Sequence, residues 1–118
     1  MFRIKRAYEP PASGDGYRVL VDRLWPRGLS KEAAAVDAWL KDVAPSAELR
    51  RWFGHRPERW AEFKARYREE LRSPDRSAAL DRLRHAARTR ESVTLLFAAR
   101  DTTRNHASVL LEVLTEQP

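Results

Sequence analysis

Tyr17-Arg18-Val19-Leu20-Val21, running on into Asp22-Arg23-Leu24-Trp25-Pro26-Arg27-Gly28, decides how this chain is read. A short run rich in β-branched residues belongs to a buried strand. A second one, Val93-Thr94-Leu95-Leu96-Phe97-Ala98-Ala99, ends in Arg100-Asp101-Thr102-Thr103. In both places the apolar residues give way to Arg and Asp where the strand stops. If the two strands are parallel neighbours, those polar ends share one crevice.

Upstream, Phe2-Arg3-Ile4-Lys5-Arg6-Ala7-Tyr8 alternates apolar and basic residues, as a half-buried strand does. Glu9-Pro10-Pro11-Ala12-Ser13-Gly14-Asp15-Gly16 is a loop by its Pro and Gly content. That loop is short for a parallel crossover, which usually takes about a dozen residues. The first strand is therefore expected either to pair antiparallel or to sit beyond a neighbour.

The middle of the chain reads as helices. Ser30 is the N-cap of a helix from Lys31 through Ala35, with Trp39, Leu40 and Val43 as core contacts after it. Ser46 caps a short helix that Gly54 stops. Pro57 suits the first turn of the next, in which Trp60, Phe63, Tyr67 and Leu71 recur at helical spacing. Ser73-Pro74 opens another that ends near Thr89, with Ala79, Leu80, Leu83, Ala86 and Ala87 facing inward. A last helix runs from about Arg104, with Ala107, Leu110, Leu111 and Leu114 along one side. The expected fold is a small single α/β domain over residues 1–118: a short, mostly parallel sheet of three or so strands packed by about five helices.

Composition narrows the classes. At 118 residues and 42% hydrophobic, the chain is long enough and apolar enough to bury one core. The absence of Cys rules out disulfides and thiol nucleophiles and fits a reducing compartment. Met1-Phe2-Arg3-Ile4-Lys5-Arg6 lacks the apolar stretch of a signal peptide, and no run approaches the roughly 20 residues of a membrane span. The expectation is a cytoplasmic protein with no membrane association. Lys and Arg exceed Asp and Glu by 23 to 17, a net +6. Between Glu48 and Glu91 alone, 13 basic and 8 acidic residues leave +5. Such a surplus attracts anions, though a solvated Arg-rich surface accounts for it equally.

The candidate site is the crevice at the strand ends. Arg23, Arg27 and Arg100 are the expected anion contacts, since the guanidinium fork matches carboxylate and phosphate. Lys41, Arg50 and His55 are expected to reach in from the helices. Gly28 either lets backbone approach a ligand or supplies a positive φ. Trp25 is a rim or packing residue as readily as a stacking platform. Asn105 sits where Asn satisfies local backbone groups at a helix start. For acid–base work the candidates are His106, Asp22 and Asp101, with a structural ion pair as the plainer reading of Asp22. No cofactor or metal is expected. Gly14-Asp15-Gly16 lacks the third glycine of a dinucleotide fingerprint, no phosphate-loop Lys-Ser/Thr occurs, and three scattered His residues lack zinc spacing.

Read together, these segments resemble the bacterial YeaO-like family, a domain of unknown function of the DUF-488 type. The resemblance rests on Arg18 to Gly28, then Trp39-Leu40-Lys41-Asp42-Val43-Ala44-Pro45-Ser46 and Glu48-Leu49-Arg50-Arg51-Trp52-Phe53-Gly54-His55. It continues through Leu95-Leu96-Phe97-Ala98-Ala99-Arg100-Asp101 and Asn105-His106-Ala107. It implies an α/β fold within a wider group whose other branch carries a Cys-His-Arg signature after the last strand. Here that stretch is Asn105-His106-Ala107, without the Cys or the Arg, so chemistry through that Cys does not transfer. Arg56 stands where the family usually has an acidic cap before Pro57, which predicts a weakened helix start.

The leading expectation is a site for a small anionic molecule, with acid–base catalysis through His106 open. Nucleic-acid binding through the helices from Arg50 to Arg90 is the alternative, disfavoured because Glu62, Glu69, Glu70 and Asp81 interrupt the basic residues. A protein-docking module is the third. A homodimer is open to a domain of this size.

Overall fold

The computed structural model describes residues 1–116. Four strands, β1 (Phe2–Arg6), β2 (Tyr17–Leu20), β3 (Ala38–Trp39) and β4 (Val93–Phe97), form one sheet in the order β1-β4-β2-β3. Every pairing is parallel, with Ile4 and Val19 flanking Leu95 on its two edges and Ala38 beside Val19. β4 is buried at all its residues because it has a strand on each edge and a packed layer on each face.

The helices are α1 (Lys31–Ala34), α2 (Ala47–Phe53), α3 (Trp60–Glu70), α4 (Pro74–Thr89) and α5 (His106–Thr115). Local chemistry sets several of their ends. Ser30 Oγ accepts from the Ala33 N–H at 3.1 Å, and Ser46 Oγ accepts from the Leu49 N–H at 3.1 Å. Gly54 closes α2 in the left-handed region at φ 53°. Glu70, near the end of α3, accepts from the Ser46 N–H at 2.8 Å and from its hydroxyl at 2.6 Å, which ties the start of α2 to α3.

The two faces of the sheet are covered differently. Val19, Val21, Val93, Leu95 and Phe97 meet a large core supplied by α2 to α5, including Phe53, Phe63, Tyr67, Leu83 and Leu110. Leu20, Leu96 and Ala7 meet a smaller cluster with Trp25, Leu29, Val36 and Trp39. The chain leaving β2 thus passes to one face, while the chain leaving β4 enters α5 on the other. Adjacent strands whose continuations diverge in this way open a crevice at their carboxyl ends.

On the smaller face lies a buried ionic cluster that the sequence reading did not anticipate. Asp15 and Arg18 are each 4% exposed. Asp15 accepts from Lys5 Nζ at 3.0 Å, from the Arg18 guanidinium, and from the Ala12 N–H at 3.0 Å. Arg18 spends its other donors on the carbonyls of Ala34 and Ala35, and Thr94 Oγ1 donates to the Asp15 carbonyl at 2.6 Å. A buried charge with its lone pairs and protons all matched is tolerated where an isolated one is not. Next to it, Gly16 has φ 64°, and a Cβ there would run into the Ser92 carbonyl.

Several expectations need correction. β1 is parallel and lies beyond β4, so the second of the two placements holds and the antiparallel one does not. There is a fourth strand, because Ala38 and Trp39 pair with β2. The last helix begins at His106 and not near Arg104: the Asp101 carboxylate collects the N–H groups of Thr103 and Arg104, leaving Asn105 as the cap. Val109 joins the core of that helix, while Leu111 is only half-buried. Pro57 opens a 3₁₀ turn, Pro57–Arg59, ahead of α3, and Arg56 supplies no side-chain cap to it.

Burial pushes the Asp15 carboxyl up, but the Ala12 N–H, Lys5 and Arg18 outweigh it and hold its pKa below the ordinary value. A carboxyl held lower in the fold than in the unfolded chain, where it is about 3.9, stabilises the fold above that pH. The contribution is lost as pH falls through the folded value. Asp15→Asn should cost about 3–5 kcal/mol in denaturant unfolding at neutral pH, and should flatten the acid limb of the stability curve. Unchanged unfolding in both respects would show that the cluster is dispensable.

Candidate functional site

At the carboxyl ends of β2 and β4 lies a cleft of about 810 Å³. The loop after β2 forms one wall, with Asp22, Arg23, Leu24, Trp25, Pro26 and Arg27. The turn after β4 contributes Arg100, Asp101 and Arg104, and Asn105 and His106 come from the start of α5. Ala44, Pro45, Arg50, Phe53 and His55 close the far side around α2, with Phe63 behind them. Arg27 and His106 therefore share one cleft, as the parallel-neighbour reading requires.

Side-chain hydrogen bonds hold the first wall in place. Tyr8 OH donates to the Arg27 carbonyl at 2.8 Å, and Trp25 Nε1 donates to the Leu29 carbonyl at 2.6 Å. Trp39 Nε1 donates to the Asp22 carbonyl at 2.7 Å, and its ring meets Trp25 edge-on at 5.5 Å. On the other side Arg6 fixes the exit of β4, donating through Nε to Ala99 at 2.9 Å and through Nη2 to Ala98 at 3.0 Å.

Of the three residues expected to do acid–base work, Asp101 is fully committed to its own turn. Asp22 is committed through one carboxylate oxygen, and its buried Oδ1 has no hydrogen-bond partner among the described residues. Asp22 Oδ2 accepts from the Ala98 N–H at 3.0 Å, which links the two strand ends directly. Its Oδ1 lies 3.0 Å from His106 Nε2, and that nitrogen is also 3.1 Å from the Val21 carbonyl. A carbonyl oxygen only accepts, so Nε2 carries a hydrogen here. The imidazole rests edge-on to Tyr67 at 6.2 Å. Burial drives the Tyr67 pKa far up, so its hydroxyl stays protonated and donates to the Val43 carbonyl at 2.6 Å. Asp101 Oδ1 accepts from the N–H groups of Arg104 and Thr103 and from the Thr103 hydroxyl, with Arg104 Nε at 3.3 Å from Oδ2. Those bonds hold its pKa well below the carboxylate range, the state of a fixed turn anchor rather than a proton carrier.

Asn105 is 3% exposed and acts on both sides of itself. Its Oδ1 accepts from the Ser108 N–H at 2.9 Å, and its Nδ2 donates to the Asp101 carbonyl at 2.9 Å. His55 is exposed at the cleft with φ 58°, a left-handed conformation that costs a non-glycine residue energy. Two expected residues do not line the cleft. Lys41 stacks its Nζ over the Trp39 ring at 4.1 Å, and Gly28, at φ 76° with open space around it, only shapes the loop. The sequence reading missed Arg6, Tyr8 and Arg104. Arg104 lay beside the named turn, but nothing local marks Arg6, the last residue of β1, or Tyr8, in the turn after it.

These features define a small parallel α/β domain with an Arg-lined cleft at the divergence of its two central strands. Comparison with known proteins carries this further: the chain belongs to the family described as the inactive DUF488-N3 subclade, which matches residues 1–118. It is 50% identical over 112 residues to an uncharacterized protein of Mycobacterium tuberculosis, covering 95% of this chain and 92% of that one. It is 44% identical over 110 residues to the uncharacterized protein YeaO of Escherichia coli, covering 93% of each. No solved structure matches the chain. Among the described residues no helix is long and apolar enough to cross a membrane.

Asn105→Ala should lower stability by about 1–2 kcal/mol, the scale of a lost N-cap. Asn105→Asp, which keeps the acceptor for Ser108 but sets a carboxylate oxygen against the Asp101 carbonyl, should recover little of it in the same chemical denaturation. An Asn105→Ala protein of undiminished stability would mean that the cap is not what keeps this residue buried.

Proposed function

We propose that the cleft binds a small anionic ligand and holds it without turnover. One observation carries this reading. Of the carboxylates nearby, Asp101 is engaged with Arg104 and its own turn, and Asp22 holds the Ala98 N–H through Oδ2. Arg23, Arg27, Arg50 and Arg100 line the same cleft with no ion pair to any described residue. Elsewhere on the surface many arginines are matched, as in Arg66 with Glu62, Arg68 with Glu112 and Arg84 with Asp81. Four guanidinium groups around one concavity repel each other, and an anion among them relieves that repulsion.

Binding without chemistry fits the engaged state of Asp101 and the use of Asp22 Oδ2 to join the two strand ends. The description of the subclade as inactive points the same way. The interleaved ion pairs on the helices argue against the nucleic-acid alternative, since they neutralise the basic stripe that a phosphate backbone needs.

Inorganic phosphate should raise the unfolding temperature in a saturable way, with about 2.7 kcal/mol added at 100 times its Kd. The Arg27→Ala, Arg100→Ala double variant should unfold like the parent without phosphate and lose at least tenfold in affinity. Equal stabilisation of parent and double variant would place the anion elsewhere and end this reading. His55→Gly should match the parent in stability or exceed it by up to about 1 kcal/mol, because it removes a left-handed non-glycine residue. The same change should weaken phosphate binding several-fold in calorimetry.

A further inference from the structure

The arginines are only half of the cleft. An inorganic phosphate, one phosphorus and four oxygens, fills a small part of a concavity of about 810 Å³. That volume falls within the roughly 300–1,000 Å³ range of sites for organic ligands. Between the arginines the surface is apolar: Trp25 and Pro26 on one wall, Pro45 and Phe53 on the other, Ala98 and Ala99 at the base. Among the described residues three large hydrophobic side chains are exposed, and two of them, Leu24 at 62% and Tyr8 at 40%, border this one cleft. Scattered exposed apolar residues need no explanation, but their concentration at the mouth of a charged cleft does. The loop carrying Leu24 is pinned by Tyr8, Trp25 and Trp39, so Leu24 stays at the border of the cleft.

We propose that the ligand is an organic anion made of two unlike halves: a phosphate or carboxylate head taken by the arginines, and a flat apolar body lying between Trp25 and Phe53 with Leu24 over it. This rests on the anion-binding reading and adds the chemical class of the ligand. The body is recognised by shape and apolar contact, because Asn105 and Asp101 already use their hydrogen-bonding groups within the protein.

Calorimetric titration of the full chain with phenyl phosphate, inorganic phosphate and phenol separates the two claims. Phenyl phosphate should bind at least tenfold more tightly than inorganic phosphate, and phenol should show no saturable binding. Leu24→Ser, a change at an exposed side chain that leaves the core intact, should cut the advantage of phenyl phosphate about fivefold. Its affinity for inorganic phosphate and its unfolding temperature should stay as in the parent. Equal affinities for the two phosphates would overturn the two-part ligand and leave the anion site standing. If neither phosphate binds, the anion reading itself is lost and this inference with it. An unaltered preference in Leu24→Ser would remove that residue from the apolar wall and overturn the placement of the body beneath it.

Discussion

One buried carboxylate holds three strands together. Asp15 sits on the smaller face of the sheet with Lys5 of β1 on one side and Arg18 of β2 on the other, and its carbonyl is bonded by Thr94 of β4 between them. The β1–β2 connection, residues 7–16, has to pass across β4 with only a single 3₁₀ turn, Ser13–Asp15, and no α-helix to cover the crossing. Neighbouring strands are about 4.8 Å apart, so two spacings and the length of a short strand are within reach of ten extended residues. Such a crossing leaves polar backbone and charged side chains against an apolar strand. The ionic cluster makes that arrangement tolerable, because each charge in it meets an opposite charge or a carbonyl.

Everything at the opposite end of the sheet follows from the strand order fixed there. With β1 placed beyond β4, β2 and β4 become neighbours pointing the same way, and their polar continuations emerge together. The bond from the Ala98 N–H to Asp22 Oδ2 joins the two exits. His106, arriving from α5, then packs between that carboxylate and Tyr67. The residues that look most reactive in the sequence are thus part of the framework of the cleft. Of the arginines around them, Arg104 is paired with Asp101, and Arg23, Arg27, Arg50 and Arg100 have no ion pair to a described residue.

Much of the fold was legible from local chemistry. β2 and β4 show as apolar runs, Ser30 and Ser46 as caps, Gly54 as a stop, and the aromatic spacing of α3 as a buried stripe. β3 was not legible, because two residues give no periodicity and Ala38 and Trp39 are strand only by virtue of β2 beside them. The start of α5 was misplaced because Asn105 is extended, at φ −140° and ψ 164°, and caps the helix through the Ser108 N–H. In the site, Arg23, Arg27 and Arg100 were legible as the residues that end each strand. Lys41 was misjudged because its spacing gives no clue that Trp39 turns toward the other face and takes the ammonium with it.

The sequence by itself determined the local pieces: which segments bury an apolar face, where helices are capped, and that Arg and Asp follow each buried strand. Those depend on neighbours in the chain. Only the tertiary structure decided that Asp15 is buried between two cations, that Arg6 and Tyr8 brace a site some twenty to ninety residues away, and which carboxylates are already engaged. The reason is physical: the state of a charge depends on what surrounds it in three dimensions. An Asp in water and an Asp clasped by N–H groups and a lysine are the same letter in the chain.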